Sequence, residues 1–262
     1  MTGLWASALR RLLSHPLTAG VQIDDPATTE LRKQIIASKP FLRSIYDEWY
    51  RMLAAALPTG DGPVLELGSG AGYCERYIKG LITSEAFAGP QVRLVADAQR
   101  LPFGDGTLRA IVFTDVLHHM PHARLFFAEA SRCLRPGGKV LMIEPWVTPW
   151  SSFIYRNLHH ESFRPEAGDW SFPSTGPLSG ANGALPWIVF VRDRRMFEAE
   201  FPRLAIDEIR PFLPFRYLLS GGVGLRSLAP GFAHGVWAGV ERALNPWMPR
   251  LAMFAFIALH KA

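Results

Sequence analysis

Gly68, Gly70 and Gly72 alternate directly after an apolar run that ends in Glu66, in the stretch VLELGSGAG at 64–72. The pattern suits a nucleotide-like ligand held on backbone. Glycine permits a sharp turn, and without a Cβ the main-chain N–H groups come within contact distance of the ligand. Glu66, at the end of the expected strand, offers a carboxylate to an amine or to the loop's own amides. The spacing is not the dinucleotide fingerprint, whose third glycine would fall where this chain has Tyr73, and this disfavours a nicotinamide enzyme. A plain tight connection is the alternative, because glycine-rich turns after strands are common.

Further polar residues recur at the ends of apolar runs. LITSE at 81–85 reads as a second strand closing on Glu85, about where an α/β nucleotide fold presents a carboxylate to ribose hydroxyls. VRLVADA at 92–98 places Asp97 and Ala98 just past a third strand. LRAIVFTDVLHHM at 108–120 passes through Thr114 into Asp115, His118 and His119. A helix-like ARLFFAEASRCL then runs into the turn RPGG at 135–138, and KVLMIEP forms a fifth strand closing at Glu144 and Pro145. Singly, each acidic residue reads as a solvated loop residue. Their gathering at the carboxyl ends of successive strands is where open α/β sheets bind ligands.

Taken in order, VLELGSGAG, Glu85, DAQRLPF at 97–103, TDVLHH at 114–119 and LRPGGKVLMIEP at 134–145 resemble the class I S-adenosylmethionine-dependent methyltransferases of the broad type 11 group. The resemblance covers residues 60–146. It implies a doubly wound, seven-stranded Rossmann-like α/β sheet with an antiparallel last strand, and S-adenosyl-L-methionine as cofactor. It also implies site roles. Glu66 with Gly68, Ser69, Gly70 and Gly72 would surround the methionine part, Glu85 the ribose, and Asp97 with Ala98 the adenine. Backbone near Thr114 and Asp115 would reach the sulfonium. One departure is visible, since the family usually has Asp where this chain has Glu85.

With 262 residues, 48% of them hydrophobic and 19% charged, the chain is long and apolar enough for one enzyme-sized domain with insertions. The longest apolar run, LAMFAFIAL at 251–259, is far short of the roughly 20 residues a membrane-spanning helix needs and reads as a last, buried strand. Arg10 and Arg11 interrupt any signal-peptide pattern, so a cytoplasmic protein is expected. Cys74 and Cys133 read as buried free thiols. The net charge of +5 is dispersed, which favours anionic partners in general, but no nucleic-acid-binding module accompanies it.

Around the motif region the chain divides into a helical amino-terminal extension or cap (1–58) and the methyltransferase-like domain (59–262), whose stretch 145–200 is an insertion expected to build the acceptor site. Pro40 separates two helices within 26–57, and in the second Ile45, Trp49, Met52 and Leu53 form an apolar face. Tyr46 and Tyr50 lie beside that face and either close over the cofactor or pack on the sheet edge. Residues 1–17 form a weak amphipathic helix that lies against the protein body or a membrane surface. Residues 145–187, rich in Pro, Gly, Ser and Trp, suit an irregular insertion over the cleft. A helix follows at 187–202, a sixth strand and a glycine turn within 203–222, and a last crossover helix at 229–247.

The histidine pairs His118/His119 and His159/His160, the latter followed by Glu161, are the remaining chemistry. Metal ligation is not expected, because adjacent histidines on one element point different ways and no recognised ligand spacing accompanies them. A proton acceptor for methyl transfer is the better use for His118 or His119, with a structural role as the alternative. The reading is a methyltransferase acting on an apolar or amphipathic small-molecule acceptor, lipid-linked ones included, in a Trp- and Phe-rich pocket. An RNA methyltransferase, and a non-catalytic cofactor-binding module at a membrane surface or on a partner, are the alternatives.

Overall fold

The computed structural model describes residue 15 and residues 27–70, 72–89, 92–159, 161–176 and 180–262. The amphipathic reading of residues 1–17 and the His160 candidate lie outside the described residues. The described segment from residue 27 opens on two helices, α1 (Ala27–Ser38) and α2 (Pro40–Ala55). Pro40 occupies the first turn of α2, where its missing N–H costs nothing and its fixed φ is already helical. Ile45, Trp49 and Leu53 are fully buried on the face that 3.6-residue periodicity defines, with Met52 half-buried at its margin.

The sheet contains β1 (Val64–Glu66), β2 (Leu81–Glu85), β3 (Leu94–Val95), β4 (Leu108–Thr114), β5 (Leu134–Pro145), β6 (Leu204–Phe212) and β7 (Phe254–Lys261) in the order β3-β2-β1-β4-β5-β7-β6. The pairings from β3 across to β5 are parallel, while β7 is antiparallel to both β5 and β6. Ile111, Val112, Val140, Leu141, Ile257 and Leu259 are wholly buried, as strands covered on both faces must be. Successive connections leave β1 towards opposite edges, so the crevice between the ends of β1 and β4 is where such a sheet offers a ligand site.

Several elements depart from expectation. The third strand is only two residues long and lies at one end of the described sheet. The connection from β1 to β2 holds a 3-10 turn at Tyr73–Arg76. RPGG at 135–138 falls inside β5. The described part of the stretch 145–200 contains helices as well as irregular chain. Helix α3 (Ala123–Cys133) comes before β5, and α4 (Pro149–Leu158) opens the stretch on a capping box in which Thr148 and Ser151 satisfy each other's backbone N–H. Trp146 and Trp170 are buried in the core, with Trp170 Nε1 donating to Asp193 at 2.8 Å. The helix expected at 187–202 is broken at Asp193 into a π turn (Ile188–Arg192) and α5 (Arg194–Glu200). Further helices include α6 (Arg216–Ser220) and α7 (His234–Ala243), with short helical turns at Leu185–Trp187 and Met248–Leu251. Both cysteines are buried and free.

Candidate active site

The glycine loop leaves β1 and is sewn to β2. Gly68 and Gly70 take left-handed backbone (φ 61° and 51°), and a Cβ on Gly68 would stand 2.6 Å from Val116 Cγ2, so the loop packs against the end of β4 only because that atom is missing. The Ser69 N–H donates to the Ser84 carbonyl, the Ser84 N–H to Ser69 Oγ, and Ser84 Oγ to the Glu66 carbonyl. The Gly70 N–H donates to Glu85 Oε1 at 2.6 Å. Glu85, expected from the sequence at the ribose, is in this structure a brace for the loop.

Glu66 lies behind the loop, 4% exposed. Burial pushes its carboxyl up to about 8 against the hydrogen bonds from Ser69 and Cys74, with the Glu85 and Glu75 charges adding to the rise. Its Oε2 is buried without a hydrogen-bond partner. An acceptor held unsatisfied beneath a glycine cradle fits a ligand that brings a donor, as the amine of S-adenosylmethionine would. The residues present therefore fit that cofactor.

Opposite the loop, Asp115 follows β4 with φ 57°, its N–H donating to the Ile143 carbonyl. Burial raises its carboxyl to about 7; His118 opposes the rise, and Glu144 and Glu161 add to it. A 3-10 turn at Leu117–His119 comes next. Glu144, at the end of β5, organises the turn: its Oε1 accepts the Val116 and Leu117 N–H groups at 2.7 and 2.8 Å, and its Oε2 faces His118 Nδ1 at 2.7 Å. Burial works against a charge on His118, but Glu144 and Glu161 prevail and raise it to about 10. Beside it, His119 is pushed down to about 3 by burial and by the His118 charge. Its Nδ1 faces the Gly180 carbonyl at 3.2 Å, so Nδ1 carries the proton and Nε2 a lone pair. Glu161 sits beyond both rings and is held well below the usual carboxylate range by the histidines, against the effect of its burial.

These residues surround a cavity of about 510 Å³, within the roughly 300–1,000 Å³ typical of small-molecule sites. Gly68, Ser69, Gly70, Glu85, Thr114, Asp115 and His119 contribute to its wall, and Tyr46 and Tyr50 reach it from α2. Glu66 and His118 are buried behind it, and Gly72 does not line it. Asp97 and Ala98 do not line it: Asp97 is exposed, and its Oδ1 accepts the N–H groups of Gln99. The adenine role that the resemblance implies for them has no support in this geometry, whereas Phe87, two residues past Glu85, does line the cavity. The remaining wall is largely apolar, from Ile35 and Ile36 of α1, Ile154 and Tyr155 of α4, Tyr217 of α6, and Phe254. Sequence reasoning missed these wall residues. For Tyr155, the capping box at Thr148 was the available signal for an ordered helix where irregular chain was expected.

Residues 65–142 match a family model described as a methyltransferase domain. A demethylmenaquinone methyltransferase from Beutenbergia cavernae is 30% identical over 102 residues, 38% of this chain and 42% of the relative. A ubiquinone/menaquinone biosynthesis C-methyltransferase from Desulfotalea psychrophila is 30% identical over 126 residues, 41% of this chain and 51% of the relative. The chain thus spans about half the length of the curated relatives it matches. Among solved structures, the geranyl diphosphate C-methyltransferase of Streptomyces coelicolor, in complex with Mg²⁺, geranyl diphosphate and S-adenosyl-L-homocysteine, superposes with TM-score 0.50 at 16% identity, covering 95% of this chain and 89% of that one. A chain of the complex between the Haloferax volcanii Trm112 methyltransferase activator and a methyltransferase gives 0.51 at 14% identity, covering 92% and 97%. At these identities the likeness is one of fold.

Proposed function

We propose, for a chain whose residues 65–142 form a class I S-adenosylmethionine-dependent methyltransferase domain, that it transfers a methyl group to an apolar or amphipathic small molecule bearing a ring oxygen, of the hydroquinone or phenol type. The observation that carries this reading is the make-up of a single cavity. One wall is the glycine loop with Glu85; the other is largely apolar, from Ile35, Ile36, Ile154, Tyr155 and Phe254, with His119 and Glu161 on it and Arg32, Asp115 and His159 also reaching the cavity. The quinone-methylating relatives support the acceptor class.

Bound S-adenosylmethionine supplies an electrophilic methyl group for in-line displacement. The protein's part is alignment, dehydration and proton handling. Glu66 and the loop amides would take the amino-acid end, and Glu85 would meet the ribose while keeping Gly70 in place. Apolar side chains from α1 and α4 exclude water around the acceptor ring. His119, which lines the cavity with its Nε2 3.7 Å from Glu161 Oε1, would accept the hydrogen bond of an acceptor hydroxyl on that nitrogen, raising electron density on the ring carbon or oxygen that attacks. His118, buried and paired with Glu144, positions the turn that carries His119. The stretch 145–200, through α4 and Glu161, builds the acceptor side.

The test is incubation with methyl-labelled S-adenosylmethionine and a panel of hydroquinones and phenols with tails of graded length, alongside bulk RNA. Label in the aromatic acceptors, rising with apolar tail length, is expected. Label only in RNA, or in nothing, would overturn the proposal.

A further inference from the structure

His118 and His119 were expected to point apart, yet the 3-10 turn brings their rings to 4.3 Å between centroids, tilted by 39°. Both Nε2 atoms aim at one carboxylate: His118 Nε2 is 3.5 Å from Glu161 Oε2, and His119 Nε2 is 3.7 Å from Glu161 Oε1. One such ligand atom from each of the three residues lies within 4.8 Å of the others. These separations exceed the 2.7–3.2 Å of a good N–H···O hydrogen bond. They match the span between two ligands of one ion: with bonds of about 2.0–2.2 Å, a tetrahedral angle sets donor atoms roughly 3.4 Å apart.

The outer contacts agree. Each histidine commits its other ring nitrogen to an acceptor, His118 Nδ1 to the Glu144 carboxylate and His119 Nδ1 to the Gly180 carbonyl. Metal-ligating histidines are almost always oriented in this way, which leaves Nε2 for the ion. Glu144 is fixed in turn by the Val116 and Leu117 N–H groups. Of the three donors, His119 and Glu161 line the cavity, so an ion held there would face it with coordination positions still open.

We propose that His118 Nε2, His119 Nε2 and the Glu161 carboxylate form a binding site for one divalent first-row transition ion, zinc or ferrous iron in preference to magnesium or calcium. Two imidazoles and one carboxylate are the donor set of such ions, whereas the harder cations take oxygen ligands. This deepens the reading of the same cavity, because the ion, and not His119 Nε2 itself, would meet an acceptor oxygen. On binding, the Nε2 proton of His118 leaves to solvent, and the ion takes over the neutralisation of the surrounding carboxylates.

The experiment uses untagged, full-length protein stripped with chelator and titrated with Co²⁺ and then Zn²⁺, in the absence of cofactor and acceptor. The proposal expects one equivalent of Co²⁺ to bind with the visible absorption of a four- or five-coordinate site, and Zn²⁺ to displace it. Glu144→Gln, which removes no ligand, should weaken binding about 10–100-fold, and Glu161→Gln and His119→Ala by at least as much. Absence of saturable, one-equivalent uptake by the wild-type chain overturns the proposal without requiring any variant to fold. Uptake unchanged in both Glu161→Gln and His119→Ala also overturns it. Because no methyl transfer is read, failure here leaves the methyltransferase reading standing, and failure of that reading leaves this site testable.

Discussion

Replacing Glu66 by glutamine should change how stability depends on pH, and the sign follows from its burial. The folded carboxyl titrates at about 8, against 4.5 for an ordinary one. Between those values the folded chain keeps a proton that the unfolded chain releases, so the folded state binds more protons and stability falls as pH rises. Below about 4.5 both states are protonated and there is no effect; above about 8 both are ionised and the full penalty applies. At roughly 1.4 kcal/mol per pH unit the window is worth on the order of 3–5 kcal/mol. Tyr50 of α2, Cys74 and Glu75 of the 3-10 turn, and Glu85 of β2 face this carboxyl and set its environment. Urea unfolding of the cofactor-free wild type and Glu66→Gln at pH 5 and pH 8 isolates the contribution, because all other titrating groups are common to both. The wild type should lose several kcal/mol more than the variant across that interval. Parallel pH dependences in the two proteins would refute the buried-carboxyl argument and, with it, the fit of the loop to a ligand amine.

Gly68→Ala should cost about 1–2 kcal/mol for its left-handed backbone and about 1–3 kcal/mol more for pressing on Val116. Adding Val116→Ala should recover the contact part alone, as read by a double-mutant cycle in urea. Arg216 is buried between Glu241 and Glu48 and ties α6 to α7 and α2. Arg216→Met should lose about 3–5 kcal/mol by stranding those carboxylates, and it should raise the cofactor dissociation constant because α2 and α6 both supply cavity wall; calorimetry and urea unfolding read the two effects. Tyr155→Leu should raise KM for an aromatic acceptor more than it lowers kcat, measured by labelled methyl transfer, since Tyr155 is wall and donates only to the Met253 carbonyl.

The sheet was legible because each of its central strands is an apolar run ending in a polar residue, and β2 falls on the residues that spelled it. The glycine loop, Glu85, Asp115 and the tyrosines of α2 were likewise visible as residue types at fixed places along strands and helix faces. What could not be read was set by contacts distant in sequence. Glu85 braces Gly70 only because β1 and β2 lie side by side, and Asp97 turns outward because its carboxylate caps its own loop. The convergence of His118, His119 and Glu161 depends on a 3-10 turn held by Glu144, 26 residues after His118, and adjacency in sequence suggested the opposite. The Pro- and Trp-rich stretch looked irregular by composition, but Trp146 and Trp170 are core residues, and one capping box sets the start of α4.

Calorimetric titration of the folded chain with S-adenosyl-L-homocysteine, in wild type and Gly70→Val, bears most directly on the claim that the glycine loop holds an adenosyl cofactor. The account predicts saturable one-to-one heat in the wild type and its loss in the variant, whose added side chain would sit on left-handed backbone at the cavity wall while the rest of the sheet remains folded by circular dichroism. No heat from the wild type, or equal heat from both proteins, would contradict it.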